Sequence, residues 1–370
     1  MNLKIKEVNS YVVDVPLKNE WQISLYSAKT RHHAIVEIIT EEGHHGYGEA
    51  SPSPAFMGET GDTVKFVVDN YLAEVLEGKL ITNIVEIHDA MDKSIYGNTS
   101  AKSAVDIAIY DALGKAWGVP VYQLLGGKYR EEIPLTYVVG IKDKESAYEE
   151  AIKNIKKGFK GIKIKVGKEP NRDIELVKTI QRAIKDSGKN IKLRLDANQG
   201  YDPATAIKVI KEMENNGELE SVEQPTIKTD YLGIKKIKNK VKTPIMLDET
   251  IFNPKEAMNA IRLDIADSMN IKVCKVGGLF EAKKIANMAE AAGMKCTVGS
   301  NLELGLGIAA SLHFVLSTPV INMPSDFICG VYLHQNDILK NSIDEMVKDG
   351  KLISINKPGL GVELNKKLIE

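Results

Sequence analysis

The residues best placed to do chemistry are charged side chains at the ends of five successive apolar runs. They are Lys163 and Lys165 in GFKGIKIKVG, Asp196 and Asn198 in NIKLRLDANQG, Glu223 in ELESVEQP, Asp248 and Glu249 in TPIMLDET, and Lys272 and Lys275 in DSMNIKVCKVGG. Each run is short and bounded by Gly, Pro or polar residues, which predicts a buried parallel strand. A charge at such a position is costly unless it is paired or bound to a metal, so the series predicts a ring of catalytic groups. Asp196, Glu223 and Asp248 come from consecutive strand ends and predict one hard cation with oxygen ligands, which suits Mg²⁺. A single Asp after a strand is commonly a helix N-cap. Three in succession, none obviously followed by a capping box, favour the metal. Lys163 and Lys165 are two apart in a strand and share a face. Lys272 ends a strand nearly opposite in the ring. Two lysines across a metal-held substrate could remove a proton from one face and deliver one to the other. The metal would hold the enediolate formed when the proton α to a carboxylate leaves. Burial and the cation are expected to lower the pKa of Lys163 and Lys165.

These groups need a scaffold. From about residue 131 the pattern is strand, helix, strand, helix, with candidate strands PLTYVVG, GIKIKVG, IKLRLDA, LESVEQP, PIMLDE, SMNIKV, KCTVGS and VINMPSD. Repeated β–α units predict parallel strands, and eight of them predict a closed barrel with its site at the C-terminal strand ends. An open doubly wound sheet is the alternative, but no GxGxxG or GxxxxGK[ST] follows the first strand. Residues 1–125 read as an α+β block, with alternating strands in LKIKEVNSYVVDVPL and RHHAIVEIITEEGHHGYGEA and helices over 63–76, 84–91 and 100–117. NEWQISLYSAKT and SPSPAFMGETGD read as loops carrying exposed aromatic or apolar groups, of the kind that cover a site. The tail, residues 326–370, has strand-like pieces and is predicted to return to the N-terminal block. His32, His33, His44 and His45 read as surface groups, and His313 in ASLHFVL as packed.

Composition bounds the partners. Among 370 residues, 43% are hydrophobic, 27% are charged and the net charge is −1, so nothing points to nucleic acid or an acidic membrane. Three cysteines without metal or redox spacing predict a reducing cytoplasm. The start MNLKIKEVNSYVV is too polar for a signal peptide, and no apolar stretch is long enough to span a bilayer.

The motif set resembles the enolase superfamily, muconate-lactonizing-enzyme (mandelate racemase/muconate cycloisomerase) subgroup, over nearly the whole chain. The matching pieces are KIK, DANQG, VEQP, DET and NIKVCKVGG, with GYGEASP and AVDIAIYDALGKAWGVPVYQLLGG upstream. The resemblance implies an α/β protein with a modified (β/α)7β TIM-like barrel in residues 126–325. An α+β capping domain would comprise residues 1–125, joined by the C-terminal segment 326–370. It implies one Mg²⁺ on Asp196, Glu223 and Asp248, supported from behind by Asn198 and Glu249. Lys165 becomes the acid/base, and Lys163 tunes it and neutralises the substrate carboxylate. Lys272 is the facing base, whereas Lys275, of opposite strand parity and in a turn, reads as structural. Lid loops over 21–28 and 55–61 would place Trp21, Ser24, Tyr26 and Phe56 on the substrate's distal part. A small-molecule carboxylate substrate and a homo-oligomer are also implied.

The subgroup cycloisomerises muconates, dehydrates to o-succinylbenzoate, racemises N-acylamino acids and epimerises dipeptides. Fold alone does not choose among these. Dipeptide epimerases carry Asp-x-Asp after the eighth strand to hold an α-ammonium. Here VINMPSDFICG keeps only Asp326, with Pro324 at the other position, and MPSD is closer to the N-acylamino-acid racemase and o-succinylbenzoate synthase branch. Asn301 and Glu303 in VGSNLELG could bind an amide or simply begin a helix. The expected activity is a racemase or epimerase acting on dipeptides or N-acylamino acids. The alternative is a muconate cycloisomerase or an o-succinylbenzoate synthase-type dehydratase. A non-catalytic ligand-binding barrel predicts loss of one of these groups, and all are present. A sugar-acid dehydratase would bring a His–Asp pair in place of Lys272.

Overall fold

Alternating apolar residues build a three-stranded antiparallel sheet, β1 (Ile5–Gln22), β2 (Ser27–Thr40) and β3 (His45–Ala50), in the computed structural model, which describes residues 3–369. One face of this sheet lies on α1 (Thr99–Trp117). GYGEA makes the contact possible, because a Cβ on Gly46 or Gly48 would stand 2.0 Å from the Ala108 carbonyl oxygen or 1.9 Å from that of Ala104. The stretch NEWQISLYSAKT, expected as a loop, is mostly strand. Trp21 pairs with Ala28 and Gln22 with Ser27, leaving Ile23–Tyr26 as the turn. Trp21 and Ile23 are drawn out of solvent by a small apolar cluster with Leu17, Val138, Leu302 and Cys329, and this burial favours extended pairing over a free loop.

The second sheet has seven parallel strands: β4 (Thr136–Val139), β5 (Gly161–Lys165), β6 (Lys192–Asp196), β7 (Ser221–Glu223), β8 (Ile245–Leu247), β9 (Ser268–Asn270) and β10 (Lys295–Thr297). VINMPSD closes the circle. Ile321 bridges Cys296 and Ser325 bridges Leu135, while the Asp326 amide donates to the Val298 carbonyl (3.0 Å). Pro324 has no N–H to give, which fits an eighth segment that makes bridges and no continuous ladder. Helices follow the strands around the outside. Ile162, Ile164, Leu193, Leu195, Val222 and Leu247 are buried on the outer face of the strands. The alternate residues Lys163, Lys165, Arg194, Asp196 and Glu223 therefore face the barrel axis. This alternation explains why each apolar run carries charges at its end.

The C-terminal segment lies on the first sheet and its helix. His334 bridges Leu17, the Val121 amide donates to the Gly359 carbonyl (3.0 Å), and Lys366 Nζ is 3.1 Å from Glu37 Oε1. His32 is exposed and His313 is buried, as expected, but His33 is fully buried. His33 joins a chain across the interface. His334 Nδ1 lies 2.9 Å from the Gly330 carbonyl and must donate to it, which leaves His334 Nε2 as an acceptor. His33 Nε2, 3.3 Å away, must then donate, and His33 Nδ1 lies 3.0 Å from Glu49 Oε1. One proton is thus shared between His33 Nδ1 and Glu49. Burial pushes Glu49 up to about 7 and His33 well below the usual histidine range, so the proton sits on Glu49. The Leu304 and Gly307 amides donate to the same carboxyl at 2.7 and 2.8 Å. They tie it to the start of α2 (Gly305–Leu316).

Glu49→Gln should keep two of the three bonds: its amide nitrogen can donate to His33 and its oxygen can accept from Gly307, but the Leu304 amide, which shares Oε1 with His33, loses its acceptor. We expect Glu49→Gln to lose ~1–2 kcal/mol at pH 6 through the unpartnered Leu304 amide, and Glu49→Ala to lose more, about 2–4 kcal/mol, through several unpartnered buried groups. Glu49 is raised from 4.5 to about 7 in the fold. Its contribution is therefore fully present below about 4.5 and is lost as pH rises through about 7. Urea unfolding across that window should show wild type losing stability relative to Glu49→Gln, and parallel curves would contradict the shared proton.

Candidate active site

β5 places Lys163 and Lys165 on the barrel axis, and the ladder sets Lys165 opposite Asp196 and Asp196 opposite Glu223. Lys163 Nζ lies 3.1 Å from Glu223 Oε2, 3.5 Å from Asp196 Oδ2 and 2.9 Å from Asp326 Oδ2. Lys165 Nζ donates to Asp196 Oδ2 at 2.5 Å and to Asn198 Oδ1 at 3.0 Å. Below them Arg194 reaches Thr297 Oγ1 (3.3 Å), Thr136 Oγ1 (3.2 Å) and Asp326 Oδ1 (3.4 Å). The Asn270 amide donates to Glu223 Oε1 at 2.7 Å.

Lys272 does not end a strand. β9 stops at Asn270, and Lys272 is the N-cap of the short helix Val273–Val276. Its Nζ is ion-paired with Asp248 Oδ2 at 2.7 Å and lies 4.9 Å from the Phe56 ring centroid. Lys275 follows one helical turn later, so strand parity does not separate the two lysines. Contacts do. Lys275 Nζ is enclosed by the Asp248 carbonyl and Asp248 Oδ1 (2.7 Å) and has no exposure, while Lys272 lines a cavity. In the eight-position barrel, β5 and β9 stand four apart, on opposite sides.

The cavity floor carries Lys163, Lys165, Lys272, Asn198 and Asp326. Trp21, Ile23, Tyr26 and Phe56 cover it from the first domain, and Ser300, Asn301 and Leu302 form a wall. Ser24, expected on the substrate, instead donates its hydroxyl to the Ala197 and Asn198 carbonyls at 3.0 and 2.8 Å, docking the turn on the barrel. Glu303 also points away from the cavity. It accepts from Ser300 Oγ (2.6 Å), the Asn301 amide (2.9 Å) and Cys274 Sγ (2.8 Å), and so shapes the wall. Leu302, with φ +63°, and Asn198, with φ +39°, hold left-handed backbone at the barrel mouth, where strain of this kind marks a fixed site geometry.

Asp196, Glu223 and Asp248 are fully buried beneath the ammonium groups. Among the described residues no three Asp, Glu, His or Cys side chains are arranged to hold one ion, because each carboxylate is turned to a lysine. The donor set nevertheless fits a hard cation. It is all oxygen, and burial, with the charges of Asp196 and Asp248 added to it, pushes up Glu223, a strain that a bound cation would relieve. Glu249, behind this set, accepts from Asn198 Nδ2 at 3.1 Å. Burial first, then the Asp248 and Asp196 charges, push it up to about 8. Burial opposes ionisation of Asp196 and Asp248, but Lys165 and Lys163 lower the first and Lys272 and Lys275 the second. Burial likewise opposes the charge on Lys163, yet Asp326, Glu223 and Asp196 hold it well above the usual lysine range. Asp248 and Glu223 do the same for Lys272. The lowered pKa expected for Lys163 is not found, since the surrounding carboxylates outweigh its burial.

Arg31, Ser53, Val138 and Cys329 complete the lining and were not singled out from sequence. Arg31 sits in RHHAIVEI, where no motif marks it. Arg194 was also passed over, although it precedes Asp196 by two as Lys163 precedes Lys165, and the same parity argument finds it.

The capped (β/α)7β barrel and its floor of lysines and carboxylates define an enzyme of the enolase superfamily. Residues 6–126 match the mandelate racemase/muconate lactonizing enzyme N-terminal domain, and residues 147–368 match the enolase C-terminal domain-like family. The chain belongs to the mandelate racemase/muconate lactonizing enzyme family. It is 35% identical to the N-succinyl-L-Arg/Lys racemase of Bacillus cereus over 370 residues, covering 100% of this chain and 97% of that one. A dipeptide epimerase from Enterococcus faecalis V583, complexed with Mg and the dipeptide L-Leu-L-Tyr, superposes with a TM-score of 0.91 at 35% identity, covering 97% and 99% of the two chains. The muconate lactonizing enzyme of Pseudomonas fluorescens, complexed with muconolactone, gives 0.94 at 29% identity over 100% and 98%. Among the described residues no helix is long and apolar enough to cross a membrane.

Proposed function

We propose that this protein is a racemase or epimerase that inverts the α-carbon of a dipeptide or N-acylamino acid, with one Mg²⁺ held by Asp196, Glu223 and Asp248. The observation that carries the reading is that Lys165 on β5 and Lys272 after β9 line one cavity from opposite sides of the barrel. Inversion at carbon needs a base on one face and an acid on the other, and the two lysines exchange these roles with the direction of reaction. When bound, Mg²⁺ supplies positive charge that balances the carboxylates and the charge accumulating on the substrate carboxylate as its α-proton leaves. Lys163, on the floor, adds a fixed cation to the same end of the substrate. Asn198 holds Lys165 through its Oδ1, and Phe56 covers Lys272. Trp21, Ile23 and Leu302 exclude water, which strengthens every charge interaction inside. A reducing cytoplasm suits the three buried free thiols.

Asp326 belongs to this machinery as a positioning residue. Both its oxygens are engaged, by Lys163 (2.9 Å) and Arg194 (3.4 Å), so it acts on the substrate through Lys163. Asp326→Asn should lower kcat by ~10-fold or more with KM changed by less than ~3-fold. A raised KM at constant kcat would instead mark a direct substrate contact.

Incubation of the Mg²⁺-loaded protein with pooled dipeptides and N-acylamino acids, followed by chiral chromatography, tests the function. Interconversion of stereoisomers supports it. Turnover only of muconates, or of the precursor of o-succinylbenzoate, would replace it with the cycloisomerase or dehydratase reading, which the likeness to the muconate lactonizing enzyme keeps as the second choice.

A further inference from the structure

We propose that Ser103 and Asp106, on α1 of the first domain, are positioning residues for Lys272: they hold the short helix that carries this lysine and so set its aim across the barrel. This rests on the reading above of Lys272 as one of two bases, and it explains how a base outside the sheet keeps its place.

The two lysines are mounted differently. Lys165 belongs to β5, where the parallel ladder pairs it with Asp196. Lys272 stands past the end of β9, as the N-cap of the helix Val273–Val276, and no side chain caps that helix. A lysine stem is flexible, so the aim of its ammonium depends on how firmly its backbone is held, and a site residue on a connecting turn needs support from its neighbours. The barrel supplies part of it. Lys275 Nζ is fixed on Asp248 Oδ1 (2.7 Å), and Cys274 Sγ lies 2.8 Å from Glu303 Oε1. The other side of the turn rests on α1. The buried Ser103 hydroxyl donates to the Val273 carbonyl at 3.1 Å. Asp106 Oδ2 accepts from the Leu279 amide at 2.5 Å, where the helix Leu279–Ala291 begins. Residues three apart on a helix share a face. One face of α1 therefore brackets the whole turn, from Val273 to Leu279.

Asp106 is itself locked. His88 Nε2 lies 2.7 Å from Asp106 Oδ1, and the imidazole packs on Phe280 with ring centroids 4.6 Å apart. The approach of the turn depends on glycine. Gly278 has φ +104°, and a Cβ there would stand 2.3 Å from Asp106 Oδ2. The second glycine of KVGG is thus the trace of this contact in the sequence. The start of α1 also fastens the lid that covers Lys272. Glu59 accepts from the Ser100 amide (3.1 Å) and the Ala101 amide (3.3 Å), three positions beyond Phe56. One helix of the first domain therefore carries both the turn that bears Lys272 and the aromatic ring over it. Misplacing a reacting group by about 1 Å can cost ~100-fold in rate. Loosening this mount should slow chemistry on the face that Lys272 serves and spare the face that Lys165 serves.

The test uses the Mg²⁺-loaded full-length protein in D₂O with the N-acylamino acids and dipeptides that test the function, supplied as separate pools of each configuration at the α-carbon. Ser103→Ala should fold, because the Val273 carbonyl also accepts from the Gly278 amide (3.0 Å). For the stereoisomer that Lys272→Ala no longer exchanges, Ser103→Ala should slow α-proton exchange by ~5-fold or more and Asp106→Ala by ~30-fold or more, on the scale of a displaced catalytic group. The loss should fall on kcat, with KM within ~3-fold. Exchange of the opposite stereoisomer should stay within ~2-fold of wild type. Asp106→Asn, whose oxygen can still accept from the Leu279 amide, should recover most of the rate. Backbone amide exchange, read by mass spectrometry on the same proteins, should quicken over residues 271–280 and stay unchanged over 161–167. Equal slowing of both stereoisomers, as a merely structural role would give, overturns the proposal, as does a Ser103→Ala protein without selective slowing. If Asp106→Ala does not fold, Ser103→Ala alone decides. If wild type exchanges neither stereoisomer, the two-base reading has failed, and amide exchange decides the mount by itself: quickening confined to 271–280 supports it, and unchanged protection overturns it.

Discussion

Lys165→Ala and Lys272→Ala should each suppress stereoinversion by ~10³-fold or more, the scale set by losing a positioned acid or base. Each variant should still exchange the α-proton of one enantiomer with solvent, and the two should differ in which enantiomer they exchange. The reason is geometric. Each lysine reaches the substrate from its own side of the barrel, so the remaining lysine can still take and return the proton on its face. Lys272 is the residue to remove, because it lines the cavity, while Lys275 is closed in by the carbonyl and carboxylate of Asp248. Proton NMR in D₂O on each pure enantiomer reads exchange, and chiral chromatography reads inversion. Inversion surviving in Lys272→Ala would remove that residue from the mechanism. Loss of exchange for both enantiomers in either variant would mean a single base serves both faces.

Glu223→Gln should weaken Mg²⁺ binding by ~100-fold or more while the fold persists. In the folded chain the Glu223 oxygens accept from Lys163 (3.1 Å) and from Asn270 (2.7 Å). A glutamine oxygen can keep the Asn270 bond, so packing at the centre of the barrel is retained. The amide lacks the charge that a hard divalent ion requires. Burial and the Asp196 charge push the Glu223 carboxyl up to about 7, so it is the carboxylate of the set that gains most from a bound cation. Titration calorimetry with Mg²⁺ checks the affinity, and thermal unfolding without metal checks the fold. Unchanged Mg²⁺ affinity would show that Glu223 is a partner of Lys163 and Asn270 only.

The barrel and its floor were legible because buried parallel strands show charge only where the barrel interior accepts it. Lys163, Lys165, Asp196 and Glu223 stand at alternate positions among residues that pack outward, and alternation in a strand survives without any tertiary knowledge. Lys272 was found by its neighbours in NIKVCKVGG, but its element was not, because a one-turn helix after a three-residue strand leaves no periodic signal. Ser24 and Glu303 look like polar site residues in sequence. Their hydroxyl and carboxylate are consumed by backbone and side-chain partners that only the folded loops bring together. His33 read as a surface group because the residues that bury it are distant in the chain. His334 is 301 positions away, and no local pattern encodes such a contact. Arg31 was invisible for the same reason, since it reaches the cavity wall through the Asn301 carbonyl, 270 positions away.

The central claim is that one cavity interconverts both stereoisomers through a lysine on each face. The most direct measurement is proton NMR of the Mg²⁺-loaded protein in D₂O, started separately from each enantiomer of the best N-acylamino acid or dipeptide. The account predicts that both starting enantiomers lose the α-proton signal and reach the same mixture of stereoisomers, with the product deuterated at the α-carbon. Exchange of a single enantiomer without inversion, or loss of substrate to a lactone or an alkene, would contradict it.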